Sequence, residues 1–332
     1  MRPLKILTWH THGGYLYYLT QAPHEFYVMS KADRPPGYTG RWGHLPWGPN
    51  VHDLPVEAAA GAEFDCILFQ DDHQYFDDQH RYLTPAQRRL PKIYLEHDPP
   101  RDSPTDTAHP VDDPETLLVH VTHFNRLMWD SGRTPTLVIE HGVIEPRGID
   151  WRGDVERGLV VVNNIARRGR RLGCDVFYEA RRAVPLDLVG MGAKDAGGLG
   201  EVQHADLARF SAGYRFFFNP IRYTSLGLAV IEAMMIGMPV VGLATTEMAS
   251  AIENGRSGYV DTDVSVLIDR MKDLLVDPGE AARLGRGARQ RARERFGIAR
   301  FVADWNRAFA QVTDTSPRPA RPAVSDASAA HA

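Results

Sequence analysis

The sequence predicts an α/β protein of two Rossmann-like halves that meet near residues 146–157. Three observations carry that reading. Short apolar runs alternate with stretches of helical period along most of the chain. The series ends and starts afresh near the middle. Charge divides at the same place: residues 1–155 hold 14 Lys and Arg against 22 Asp and Glu, a net of −8, whereas 156–332 hold 24 against 20, a net of +4. An acidic first half and a basic second half point to an anionic ligand held mainly by the second, although arginines on solvated helices would give the same count.

The first unit is an apolar run at 4–8 followed by Gly13-Gly14, which reads as strand, glycine turn and helix. Runs at 66–69, 92–95, 117–121 and 137–139 continue as strands, with room for crossover helices between them. Residues 35–55, rich in Gly, Pro and Trp, read as an ordered irregular loop. The second series runs through 159–162, 186–189, 216–218 and 239–242, and closes on Tyr259-Val260. Helices are expected over 175–183, 228–236, 264–275 and 278–296, the last with Asp277 as N-cap and Pro278 in its first turn. A final helix, 298–312, is a candidate to pack back on the first domain. Residues 313–332 have almost no large apolar side chain and are expected to be disordered. The domains are therefore expected at 1–150 and 151–312.

At 332 residues, 43% hydrophobic and 24% charged, the chain can bury two cores and is too apolar to be disordered throughout. A net charge of −4 does not suit a protein that grips nucleic acid. Cys66 and Cys174 are too few for a zinc cage or a disulfide framework, so the cytoplasm is the expected compartment, with the inner membrane face as the alternative. The first ten residues turn polar too early for a signal peptide. Residues 226–244 approach the length of a membrane span, but Glu232, Gly237 and Pro239 interrupt them. They read as a buried helix, a turn and a buried strand.

Chemistry concentrates in 218–242. A strand ends at Phe218, a polar turn passes through Thr224 and Ser225, and Gly227 opens a helix. The free N–H groups and positive dipole end of that helix suit a phosphate. Glu232 lies five residues further, about 7.5 Å up the helix axis. That fits the distance from a diphosphate to a ribose, whose two hydroxyls one carboxylate can accept together.

This segment resembles, without a gap, the donor-site signature of retaining nucleotide-sugar glycosyltransferases of the GT-B fold, family 4. The signature reads Pro-x-x-(Tyr/Trp)-Glu-x-Phe-Gly-Leu-x-x-x-Glu-Ala-Met, then Gly-x-Pro-Val-Val. Pro220, Tyr223, Gly227, Leu228, Glu232, Ala233, Met234, Gly237, Pro239, Val240 and Val241 match it. Weaker echoes follow in the family's order: Glu140-His-Gly-Val143 at the domain crossover, Leu188-Val-Gly-Met-Gly192 after a strand, and Asn254 to Gly258 before the last one. Val121 to Asn125 resembles a strand end of the acceptor domain.

The resemblance implies two Rossmann-like domains facing across a cleft. It implies a retaining hexosyltransferase that moves a sugar from a nucleoside diphosphate donor to an envelope polysaccharide, lipid or metabolite. The nucleotide sugar is a substrate and no cofactor is expected. Donor contacts fall on Gly13, Gly14, Arg168, Thr224, Ser225, Leu226, Gly227, Leu228 and Glu232. Catalytic positions fall on His97, Arg167 and Arg171, the arginines standing where the family neutralises the diphosphate. Each has a plainer reading: Gly13-Gly14 as a tight turn, His97 as a loop-pinning residue, and Arg167, Arg168, Arg170 and Arg171 as a solvated basic turn. Asp71, Asp72, His73, Asp77, Asp78 and His80 look like metal ligands on composition, but adjacent aspartates point apart and serve more often in turns, so no metal is expected. The basic stretch 283–295 leaves peripheral membrane contact open, with a solvated helix face preferred.

Three positions depart from the pattern. Thr224 stands where the first signature Glu belongs, Leu172 takes the place of the expected Lys, and Thr246-Glu247 replaces a Gly-Gly loop. The ribose side therefore reads as intact and the sugar side as remodelled, through an altered donor or lost activity. The rival functions are a sugar-nucleotide epimerase on the same fold and a non-catalytic nucleotide-sugar-binding protein. A dinucleotide oxidoreductase ranks last, because no Gly-x-Gly-x-x-Gly follows the first strand.

Overall fold

The computed structural model describes residues 2–43 and 45–314. Seven parallel strands form the first sheet: β1 (Lys5–Thr8), β2 (Glu25–Ser30), β3 (Val51–Pro55), β4 (Cys66–Phe69), β5 (Lys92–Glu96), β6 (Thr116–His120) and β7 (Thr136–Val138). Their order is β3-β2-β1-β4-β5-β6-β7. Five more form the second: β8 (Val155–Val161), β9 (Leu186–Val189), β10 (Tyr214–Asn219), β11 (Val240–Leu243) and β12 (Gly258–Asp261), in the order β12-β11-β10-β8-β9. Winding reverses beside β1 in one sheet and beside β8 in the other. Crevices for ligands open at the carboxyl ends of strands where that reversal occurs. The fold is thus two doubly wound α/β units.

Two strands of the first sheet were not among the expected elements. β3 lies inside the stretch expected as loop. Only Val51 and Leu54 of it are buried, while His52 and Asp53 turn outward, as an edge strand allows. β2 carries Phe26-Tyr27-Val28-Met29, as apolar a run as any included. A helix at His204–Ser211 was also missed, because its apolar positions are few. The basic stretch corrects another expectation. Helix Pro278–Phe296 does not present its arginines to solvent alone. Arg289 pairs with Glu145 at 2.7 Å and with Asp150 at 2.5 Å, Arg293 also binds Glu145, and Arg295 reaches Glu140 and Glu247. The row is therefore in large part a staple to the first domain and the crossover.

The last helix, Ile298–Thr313, crosses back onto the first sheet. Phe301, Trp305 and Phe309, four apart, make one buried face. Trp305 Nε1 donates to Tyr15 Oη at 3.3 Å, and Phe309 meets Phe26 edge-on at 6.4 Å. Gly142 permits the crossing, since a Cβ there would lie 2.2 Å from Cβ of Phe301. The disorder expected for 313–332 falls outside the described residues, apart from Thr313, which ends this helix, and Asp314. Among the described residues no helix is long and apolar enough to cross a membrane.

Candidate active site

Both crevices open onto one cleft, and two helices meet there. Helix Gly13–Leu19 follows β1, and helix Leu228–Met235 follows β10. A Cβ on Gly14 would stand 3.3 Å from Leu228 Cδ1, and one turn further along each helix Tyr18 Oη donates to Glu232 Oε1 at 2.8 Å. The helices therefore run the same way, their N-termini side by side. Two positive dipole ends repel unless an anion or carboxylates lie between them. Gly13, Gly14, Gly227 and Leu228 thus sit together, with Ser225 and buried Leu226 in the turn before the second helix.

The arginines follow β8, on the short helix Ile165–Arg168 and the turn Gly169–Leu172. They do not act alike. Arg170 pairs with Asp175, which Arg222 also holds, so it is spent locally. Arg167 is exposed, and Arg171 offers its carbonyl to the N–H groups of Arg222 and Tyr223, each at 3.1 Å. Arg168 is half-buried. Burial lowers its pKa, as do Arg171, Arg101 and Arg167 nearby, while Asp98 pulls the other way. Leu172, at the position of the expected Lys, is core. Gly173 beyond it has φ +74°, and a Cβ there would strike Pro220 O at 1.8 Å. Only glycine lets the arginine turn lie against the loop after β10.

From the first domain, β5 delivers His97 and Asp98. Gln70 Nε2 donates to Thr8 Oγ1 and to the Trp9 carbonyl, so Gln70 Oε1 accepts from His97 Nε2 at 3.0 Å. This leaves His97 Nδ1 as an acceptor. Burial, with His12 and His141 close by, holds the ring's pKa well below its usual value, so His97 is neutral. Asp98 is fixed three ways. Its N–H donates to Glu96 Oε1 at 2.8 Å, its carbonyl accepts from Trp129 Nε1 at 2.8 Å, and Arg101 pairs with its Oδ2. Its Oδ1 lies 3.5 Å from Thr224 Oγ1, across the cleft.

A cavity of about 280 Å³ lies beside Glu232, which forms part of its wall. Tyr17, Tyr18, Ile144, Phe217 and Ala229 are among its walls, together with His204 and Glu232. None of the four arginines lines it. The site is therefore polar and cationic at the helix N-termini and mostly apolar one turn further on.

Residues 179–277, which include β9, β10, the helix Leu228–Met235 and β12, match the family Glycosyl transferases group 1. That match lies within the second domain and covers less than a third of the chain. Trehalose synthase of Pyrococcus horikoshii is 32% identical over 76 residues, which is 23% of this chain and 18% of that protein. The match thus spans less than a fifth of that relative's length. At the level of fold the likeness covers nearly everything. Sucrose-phosphate synthase of Thermosynechococcus elongatus has a TM-score of 0.68 at 15% identity, over 95% of this chain and 100% of that one. Alr3699/HepE of Anabaena, solved with UDP and glucose, also has a TM-score of 0.68 at 15% identity, over 92% and 99%. The whole chain has the GT-B fold.

Of the predicted site residues, those in the second domain converge on the cleft apart from exposed Arg167, and His97 and Gly13-Gly14 face them. Asp98, Arg101, Tyr18 and His204 were not chosen from sequence. Asp98 had a signal, its place beside His97 at a strand's end; His204 had none. The acidic groups of the first domain disperse into local roles: Asp72 accepts from Tyr94, Asp71 from the N–H of His73, and Asp78 from Tyr38. Among the described residues no three His, Cys, Asp or Glu gather as a metal site. Glu247 of the second domain is buried and accepts from Phe124 N–H of the first domain at 3.0 Å, from Ser250 and from Arg295. It ties the domains together where a Gly-Gly loop was expected.

Proposed function

We propose that this protein is a glycosyltransferase taking a sugar from a nucleoside diphosphate donor to a glycan, lipid or small-molecule acceptor with retention of configuration. One observation carries the reading: two parallel helix N-termini, Arg168 and Arg101 share one cleft, and one helical turn along from those N-termini Glu232 lines a mostly apolar cavity. A diphosphate suits the first part and a nucleoside the second. Charge developing on the leaving diphosphate would be met by Arg168, with Arg171 and Arg167 beside it, and by the dipole ends. This electrostatics uses no metal. His97, neutral with Nδ1 free to accept, and Asp98 border the sugar end. The UDP and glucose held by Alr3699/HepE make UDP-glucose the first donor to try. A cytoplasmic site of action follows from such donors.

Two features favour a non-catalytic binding protein as the second reading: Thr224 lacks the signature carboxylate, and Glu232 is already bonded by Tyr18 and His204. Incubation with UDP-, GDP-, ADP- and dTDP-sugars and a panel of acceptors separates the readings. Released nucleoside diphosphate together with a glycosylated product of unchanged anomeric configuration, read by NMR couplings, supports transfer. Binding with neither release nor a change in the sugar favours the binder. An epimerised nucleotide sugar without net release and without a glycoside would mean an epimerase.

A further inference from the structure

Glu232 offers a ligand one oxygen, not two. Tyr18 Oη donates to Oε1 at 2.8 Å, and His204 Nε2 reaches the same atom at 3.1 Å. A carboxylate oxygen has two lone-pair directions, so Oε1 is filled. Oε2 has no partner among the described residues, and Glu232 lines the cavity. Both donors are well anchored. Tyr18 is buried on a helix packed along Leu228–Met235, and burial beside Glu232 keeps its hydroxyl protonated. His204 Nε2 supplies the hydrogen of its bond to Glu232, since a carboxylate oxygen can only accept, and that bond raises the ring's pKa.

A ribose is gripped most tightly when its two adjacent hydroxyls donate to the two oxygens of one carboxylate. Here that arrangement is closed to a ligand unless it displaces Tyr18 or His204. One hydroxyl can donate to Oε2 in full, and the second can only share that same oxygen, a weaker grip than one oxygen each. We propose that Tyr18 and His204 make this site indifferent to the 2′-hydroxyl, so that its donors include 2′-deoxyribonucleoside diphosphate sugars. The proposal rests on Glu232 as the residue that meets the nucleoside sugar.

Calorimetry on the full chain with matched pairs, UDP and dUDP, GDP and dGDP, ADP and dADP, tests it. For the base that binds, the ribo and deoxy forms are expected within about threefold of each other in the wild type. Tyr18→Phe frees a lone pair on Oε1 and is expected to raise the ribo preference to about tenfold or more, as a regained charged hydrogen bond does. His204→Phe should move the ratio the same way, and thermal unfolding establishes that both variants are folded. A wild type that prefers the ribo form by tenfold or more overturns the proposal, since the ligand then displaces Tyr18. A ratio unchanged in both folded variants overturns it too. If no nucleotide of either kind binds, the nucleotide-donor reading itself falls, which is a separate result.

Discussion

Asp98 Oδ1 lies 3.5 Å from Thr224 Oγ1, so a first-domain carboxylate stands beside the position where the family signature carries one from the second domain. Arg101 holds the other oxygen of Asp98, and Glu96 and Trp129 pin its backbone, so this carboxylate is set in place rather than swinging in solvent.

That relationship gives a charge-relocation experiment. Asp98→Asn is expected to slow transfer about 10- to 100-fold, the range of a lost charged hydrogen bond. Adding Thr224→Glu should recover part of the rate by returning the charge from the other side. Thr224→Glu alone should lower it, because two carboxylates would then share the spot. Initial rates of the three variants decide this, and full activity in Asp98→Asn would remove Asp98 from the sugar end.

Glu232→Ala should lose about 2–4 kcal/mol of donor affinity by calorimetry, typical of a charged hydrogen bond in a closed site. Unchanged affinity would show that the cavity beside it does not take the nucleoside.

The arginines should separate by position. Arg168→Ala is expected to weaken nucleoside diphosphate much more than nucleoside, while Arg170→Ala, already paired with Asp175, should leave both nearly unchanged. Equal effects of the two substitutions on diphosphate binding would mean a diffuse basic surface instead of a built contact.

Glu247 joins the domains through Phe124 N–H and Arg295, and it is buried. Its removal leaves Arg295 with Glu140 but strands the Phe124 N–H. Glu247→Ala should therefore destabilise by about 2–4 kcal/mol, somewhat below the cost of breaking a fully buried pair. The denaturant midpoint measures it. No shift would mean that the tie contributes nothing net.

Stability should fall in mild acid. Burial pushes the His141 pKa down from 6.5 to about 4. Between those values the unfolded chain binds a proton that the folded one refuses, so stability is lost as pH falls from about 6.5 toward 4, on the order of 2–3 kcal/mol for this residue. His97 acts in the same sense. His204, whose pKa Glu232 raises, acts in the opposite one and is stabilising at the acid end. Denaturation midpoints at pH 7 and 5 should show the drop, and His141→Gln should flatten it; an unaltered slope would reject His141 as its source.

Local pattern carried far in this protein. The helix Pro278–Phe296 was legible to the residue, because Asp277 caps it by accepting from Glu280 N–H at 2.9 Å and Pro278 suits its first turn. β4 was legible as a bare apolar run, since a strand buried on both faces needs no alternation. The turn into the helix Leu228–Met235 was legible because Gly227 stands at its start and the apolar run with Glu232 keeps helical spacing. β3 was not, because an edge strand buries only every third residue of its run here and looks like loop.

Tertiary structure decided the rest, wherever a role depends on what lies across space rather than along the chain. Which of four adjacent arginines faces the cleft turned on Asp175 taking Arg170 and on Asp98 and Arg101 standing opposite Arg168. Whether position 224 lacks a carboxylate in effect turned on Asp98, 126 residues away. How much of Glu232 a ligand can use turned on Tyr18 and His204, brought to it by helix Gly13–Leu19 of the first domain and helix His204–Ser211 of the second. Hydrogen bonds and charges act over a few ångströms with no regard to sequence separation, so the residues were readable one by one, and their partners only in the fold.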